Sequence, residues 1–136
     1  MERYKLESDI SIFYVTAISL PAGVLAAHQK LHAMVPFTTD RKYLGLSRPE
    51  HGVIQYIAAT EEAFSGEGEK LGCPTMVVPK GTYVSVILHD YMKDTAAIGI
   101  AFQQLLHQPG IDPNGYCVEW YISNTEVRCM VRLADQ

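Results

Sequence analysis

The feature that most constrains this chain is an internal repeat. Pro36 and Pro109 lie 73 residues apart, as do Tyr43 and Tyr116, and Ile54 and Val127. Self-similarity of this kind decides architecture before any local signal does, and two copies are too few for a solenoid, which needs at least three. The chain therefore reads as one unit written twice. Strand-like runs rich in β-branched, aromatic and aliphatic residues occur at 10–18, 42–46, 53–59, 82–89, 116–122 and 126–133. Between them, Leu20, Val24, Ala27, Leu31 and Met34 recur at helical spacing from a Ser19 cap to the stop at Pro36. A second helix starts near Asp94 or Thr95 and carries Ile98, Phe102, Leu105 and Leu106 towards Pro109.

Each half thus reads strand, helix, strand, strand. The expected fold is α+β: a duplicated βαββ unit with pseudo-two-fold symmetry, antiparallel sheets, one long helix per half and a cleft between the halves. Half one spans about 8–60 and half two about 73–134, in a single domain of 1–136. The acidic, glycine-rich stretch at about 61–72 is the expected linker.

Composition narrows the function classes. With 48% hydrophobic and 19% charged residues the chain has the make-up of a soluble globular protein, and its apolar runs are too short to cross a bilayer. A net charge of −4 with scattered basic residues excludes a general nucleic-acid binder, which would need clustered Lys and Arg. Arg128 and Arg132, four apart in a strand, read as a solvated face. Three cysteines do not make a disulfide framework, and the first residues carry no signal-peptide h-region, so the expected compartment is the cytoplasm.

Three stretches of the C-terminal half resemble the GyrI-like (gyrase-inhibitor-like), or effector-binding, family. They are Val78-Pro79-Lys80-Gly81-Thr82-Tyr83, similar to the family's Pro-x-Gly-x-Tyr strand entry; the helix through Ala101-Phe102-Gln103-Gln104-Leu105-Leu106; and Gly115-Tyr116-Cys117-Val118-Glu119-Trp120-Tyr121, with Glu followed two residues later by Tyr. The N-terminal half resembles the family in pattern only. The resemblance implies a stand-alone small-molecule-binding domain whose pocket is anchored by Glu119. The sequence shows no helix-turn-helix segment, so the expectation is ligand binding, not direct contact with DNA.

Alternation along a strand puts Cys117, Glu119 and Tyr121 on one face and Val118, Trp120 and Ile122 on the other, the second reading as core. Val84, Val86 and Leu88 suit packing under a helix, leaving Tyr83 on the opposite face; the 73-residue offset gives Tyr14 the matching place in half one. The expected ligand-binding set is therefore Glu119, Tyr121, Tyr83, Tyr14 and Trp120, with aromatic rings supplying apolar area and the carboxylate a counter-charge for a cationic or polarised ligand.

Other candidates point to structure. His28 and His32 have an i, i+4 metal spacing but lack the adjacent Glu and a third ligand, and read as a solvated helix face. His89-Asp90 reads as an exposed turn at a strand end, and Cys117 and Cys129 as buried free thiols on a hairpin. Gly66-x-Gly68 lacks the context of a phosphate loop, and no Gly-x-Ser-x-Gly motif is present. No metal or cofactor is called for. The expected partner is a small hydrophobic or cationic ligand, with no nucleic acid and no membrane; oligomeric state is open. Two further functions compete: a hydrolase opening reactive cyclopropane-containing compounds, as in some proteins of the family it resembles, with Glu119 activating water, and a protein-interaction module.

Overall fold

The computed structural model of the protein describes residues 1–20 and 22–134. In chain order its elements are β1 (Glu2–Leu6), β2 (Ile10–Thr16), α1 (Gly23–Met34), β3 (Tyr43–Glu50), β4 (Val53–Glu61), α2 (Glu67–Lys70), β5 (Thr75–Val78), β6 (Gly81–His89), a 3-10 turn (Tyr91–Lys93), α3 (Ala96–Leu106), β7 (Cys117–Tyr121) and β8 (Glu126–Arg132). The fold is α+β with antiparallel strand pairing. No helix among the described residues is long and apolar enough to cross a membrane.

The chain divides into two units, Met1–Ser8 with Pro79–Gln136, and Asp9–Val78. In the first the strand order is β1-β6-β8-β7. Val84, Val86 and Leu88 of β6 face α3, as expected, and stand opposite Val131, Cys129 and Val127 of β8. Phe102 and Leu105 of α3 close this core, joined by Ala101 and the flanking Ile98. The other face carries an unexpected clamp. Arg128 is not solvated: its guanidinium lies 4.1 Å above the Tyr4 ring and donates to Glu2 at 2.9 Å and to the Ser85 hydroxyl at 2.7 Å. Cation–π attraction and charge-assisted hydrogen bonds together hold the N-terminal strand in place. Arg132 donates to the Lys80 carbonyl oxygen at 2.9 and 3.1 Å.

In the second unit the order is β3-β4-β2-β5. Phe13 and Val15 of β2, with Tyr56 and Ala58 of β4, pack under Ala27 and Leu31 of α1. The hairpin joining β3 to β4 turns on two residues, His51 and Gly52, both at positive φ, as a primed two-residue turn requires. The helix begins later than its periodicity suggests: Ser19 accepts the Gly23 N–H through its backbone carbonyl and makes no side-chain cap.

The stretch expected to be a linker is folded. β4 runs on to Glu61, and α2 follows, tied down by the buried Glu67 carboxylate, which accepts from Arg41 at 3.0 and 3.2 Å and from the Ala63 N–H at 2.8 Å. Gly68 is required here because α2 rests directly on β2. A Cβ at this position would lie 2.4 Å from Phe13 Cβ and 2.8 Å from Thr75 Cγ2.

His28 also departs from expectation. It is turned inward from α1 and shares a 2.8 Å hydrogen bond with the Tyr56 hydroxyl, its pKa lowered from 6.5 to about 4 by burial and by the neighbouring His32.

Two outcomes follow for stability. Gly68→Ala overpacks a rigid contact and lowers the free energy of unfolding by about 1–3 kcal/mol in urea titration. His28 stays neutral in the fold while the unfolded chain takes up a proton, so its contribution is complete above pH 6.5 and is lost as pH falls through about 4. The loss reaches up to about 3 kcal/mol at about 1.4 kcal/mol per pKa unit. Urea unfolding from pH 7 to 4 should show a shallower pH slope for His28→Gln than for the wild type; equal slopes contradict the buried neutral imidazole.

Candidate functional site

The site is built on β7. Its pairing with β8 sets Cys117 opposite Val131, Glu119 opposite Cys129 and Tyr121 opposite Val127. Directly opposed residues in an antiparallel pair point to the same face, so these three side chains share the face that α3 covers. Glu119 is 9% exposed, a buried carboxylate among thiols and phenols. The Tyr121 hydroxyl donates a hydrogen bond to Glu119 Oε1, a charge-assisted contact within one strand.

A second tyrosine, which alternation and the repeat did not single out, completes the group. Tyr91 lies on the 3-10 turn between β6 and α3, its ring centroid 5.8 Å from that of Tyr121 at 48°. Burial pushes its phenol pKa up, and the Glu119 charge adds to the shift. The Cys129 thiol is pushed up to about 12 by burial first, then by Glu119 and Cys117. It remains a protonated, unreactive thiol at neutral pH, and all three cysteines are free. Two thiols and two phenols, Cys117, Cys129, Tyr91 and Tyr121, thus stand around the Glu119 carboxylate.

The remaining sequence-selected residues stand elsewhere. Tyr83 is opposite Arg132 on β8 and opposite Tyr4 on β1, on the face away from α3 and Glu119. At 1% exposure, with its hydroxyl donating to the Pro79 carbonyl oxygen at 2.6 Å, it is a core residue. Trp120 shares that face, half-buried, edge-on to Tyr4 with ring centroids 5.8 Å apart. Val118 beside it is buried, while Ile122 is exposed. Tyr14 belongs to the second unit, half-buried opposite Ala59 on the β2 face turned away from α1. The register of β6, β7 and β8 thus sets Tyr83, expected to line one cleft with Glu119 and Tyr121, on the opposite face of the sheet from them.

His89 pairs with Glu126 at 3.0 Å on the exposed strand ends, and Asp90 follows at φ 53 in a turn. His32 lies beside Tyr43 and Phe37, with Phe37 stacked on Tyr43 at 5.0 Å. Among the described residues no group of three or more His, Cys, Asp and Glu is arranged to hold a metal ion.

No protein-family model matches this chain, and no curated protein matches it in sequence. Solved structures do match in fold. An integron cassette protein from the mobile metagenome of Vibrio cholerae superposes with a TM-score of 0.73 at 14% identity, over 97% of this chain and 94% of that one. A hydrolase from Listeria innocua superposes with a TM-score of 0.57 at 9% identity, over 98% of this chain and 90% of that one. At such identities the likeness is one of fold.

The hydroxyl of Tyr121 is the testable prop of the carboxylate. Tyr121→Phe removes one charge-assisted donor from a buried Glu119 and should cost about 1.5–3 kcal/mol of unfolding free energy. Chemical denaturation of the two proteins at neutral pH checks it; a change below about 0.5 kcal/mol, the scale of an ordinary surface substitution, contradicts the bond.

Proposed function

We propose that the protein binds small hydrophobic or cationic molecules at a site anchored by Glu119. The observation that carries this reading is the buried carboxylate beside a phenol ring, Tyr121 on Glu119 Oε1, with Tyr91 lying against Tyr121 as its cover. Rings offer apolar area and negative π faces, and a desolvated carboxylate attracts a positive charge more strongly than it would in water. Tyr83 and Trp120 support the strand framework on the other face.

The GyrI-like assignment belongs to the same proposal, as does the duplicated unit. What supports duplication is the spacing of elements. α1 and α3 start at Gly23 and Ala96, β4 and β8 at Val53 and Glu126, and β1 and β5 at Glu2 and Thr75, each pair 73 residues apart. In this reading the repeat has one strand more than the βαββ pattern, and the leading strand of each copy pairs in the other unit.

A second reading, hydrolysis, is favoured by the Listeria innocua neighbour, which is a hydrolase. Glu119 then accepts a proton from attacking water, with Tyr121 orienting the carboxylate.

The experiment is a thermal-shift comparison of N-methylacridinium with acridine, two planar rings of similar size of which only the first is charged at pH 8. A ligand at 100 times its dissociation constant stabilises by about 2.7 kcal/mol. N-methylacridinium should raise the midpoint by several degrees, acridine by less, and Glu119→Gln should weaken the cation by roughly ten- to a hundredfold. Identical responses of wild type and variant sink the reading. Chromatographic recovery of unchanged ligand separates binding from turnover.

A further inference from the structure

We infer that Tyr91 is the gate of the Glu119 site, a residue whose outward movement must precede the entry of a planar ligand. The inference rests on the binding reading above and deepens it. A flat ring sandwiched between two aromatic rings needs about 7 Å between them, since each contact takes about 3.5 Å. The Tyr91 and Tyr121 rings are 5.8 Å apart and tilted at 48°, so the face of Tyr121 beside Glu119 is closed to a planar guest. One of the two rings must move.

The two supports differ in strength. Tyr121 sits at the end of β7, paired along its length with β8; the Ile122 N–H continues the ladder to the Glu126 carbonyl oxygen at 3.0 Å, and the Tyr121 hydroxyl is engaged by Glu119. Tyr91 sits on a turn of three residues, none of them buried. The turn is closed internally by Lys93 N–H to Asp90 O at 3.0 Å and Asp94 N–H to Tyr91 O at 3.2 Å, so it can move as a body. Its backbone bond to the neighbouring hairpin, from the Tyr91 N–H to the Thr125 carbonyl oxygen, is long at 3.4 Å. Asp90 at φ 53 and Asp94 at φ −150 flank the turn as joints between β6 and α3. Met92 beside the gate is 70% exposed, and Tyr91 itself packs only part-buried against the core under α3, so an outward swing gives up the partial burial of one ring. The ring that yields is therefore Tyr91.

A gate leaves a kinetic signature that a pocket wall does not. Because the closed ring and the guest exclude one another, removing the ring speeds entry and tightens binding, whereas loss of a wall contact speeds exit and weakens binding.

The test is stopped-flow fluorescence of N-methylacridinium with wild type, Tyr91→Ala, Tyr91→Phe and Asp90→Gly. The association rate should rise about tenfold or more in Tyr91→Ala and the dissociation constant should fall by a similar factor, while both stay within about twofold in Tyr91→Phe, which keeps the ring. Asp90→Gly, which frees the joint but leaves the ring, should fall between. A rise in the dissociation rate alone, or no change in either rate, overturns the gate while leaving the site intact.

A ligand-free measurement keeps the two claims separable. Relaxation dispersion on 13C-labelled tyrosine rings should show exchange on the microsecond-to-millisecond scale at Tyr91 and Tyr121, absent at Tyr83 and abolished at Tyr121 by Tyr91→Ala. Exchange without N-methylacridinium binding refutes the ligand reading and upholds the moving ring. A static Tyr91 overturns the gate whatever the ligand result.

Discussion

The alternation of β8 governs the first unit. Flanked by β6 and β7, this strand sends Val127, Cys129 and Val131 to the face under α3 and Arg128, Met130 and Arg132 to the other. Because opposed residues share a face, the phase of β8 decides where every neighbour points. It brings Glu119 under the helix beside Cys129, and it brings Tyr83 and Trp120 to the side where Arg128 grips the first strand. A slip of one residue in either pairing would expose the carboxylate face and bury the arginines.

Burying a carboxylate is unfavourable unless hydrogen bonds or opposite charge compensate. Here one compensation is a neighbour on the same strand, Tyr121, which needs no long-range closure to find its partner. The second unit solves a similar problem with charge: Arg41 and Glu67 meet in a two-bond contact, with side-chain exposures of 13% and 9%. The contrast is chemical. A carboxylate matched by a fork-shaped cation is neutralised by it, whereas Glu119 takes a hydrogen bond from a phenol.

Much of the fold was legible in the residues. The prolines after each helical run, the apolar spacing within them and the β-branched runs identify α1, α3 and the strands β2, β3, β4, β6, β7 and β8. What was missed has physical reasons. β1 reads Glu-Arg-Tyr-Lys-Leu, too charged to look like a strand, because its charges are held by Arg128 or lie in solvent. β5 has only four residues, and α2 follows from Arg41 meeting Glu67, a contact 26 positions apart. Within the site, alternation sorted Cys117, Glu119 and Tyr121 correctly from Val118 and Trp120, but a period of two carries no information on phase between strands. Tyr83, expected in one cleft with Glu119, therefore lies on the other face, and Tyr91, on a short turn with no periodicity, gave no signal.

The exchanged strand has a consequence for how the chain is made. Glu2 pairs opposite Ser85, so β1 is synthesised long before β6 exists. Within Asp9–Val78 the pairings of β2 with β4, β3 with β4 and β2 with β5 all join strands of that one stretch and can form while the rest is still being added. β1 waits outside it, and its charged residues Glu2, Arg3 and Lys5 suit a segment that must remain in water in the meantime. β1 is thus made well before its partner strand, and the clamp of Arg128 on Tyr4 and Glu2 can latch it only once β8 is in place.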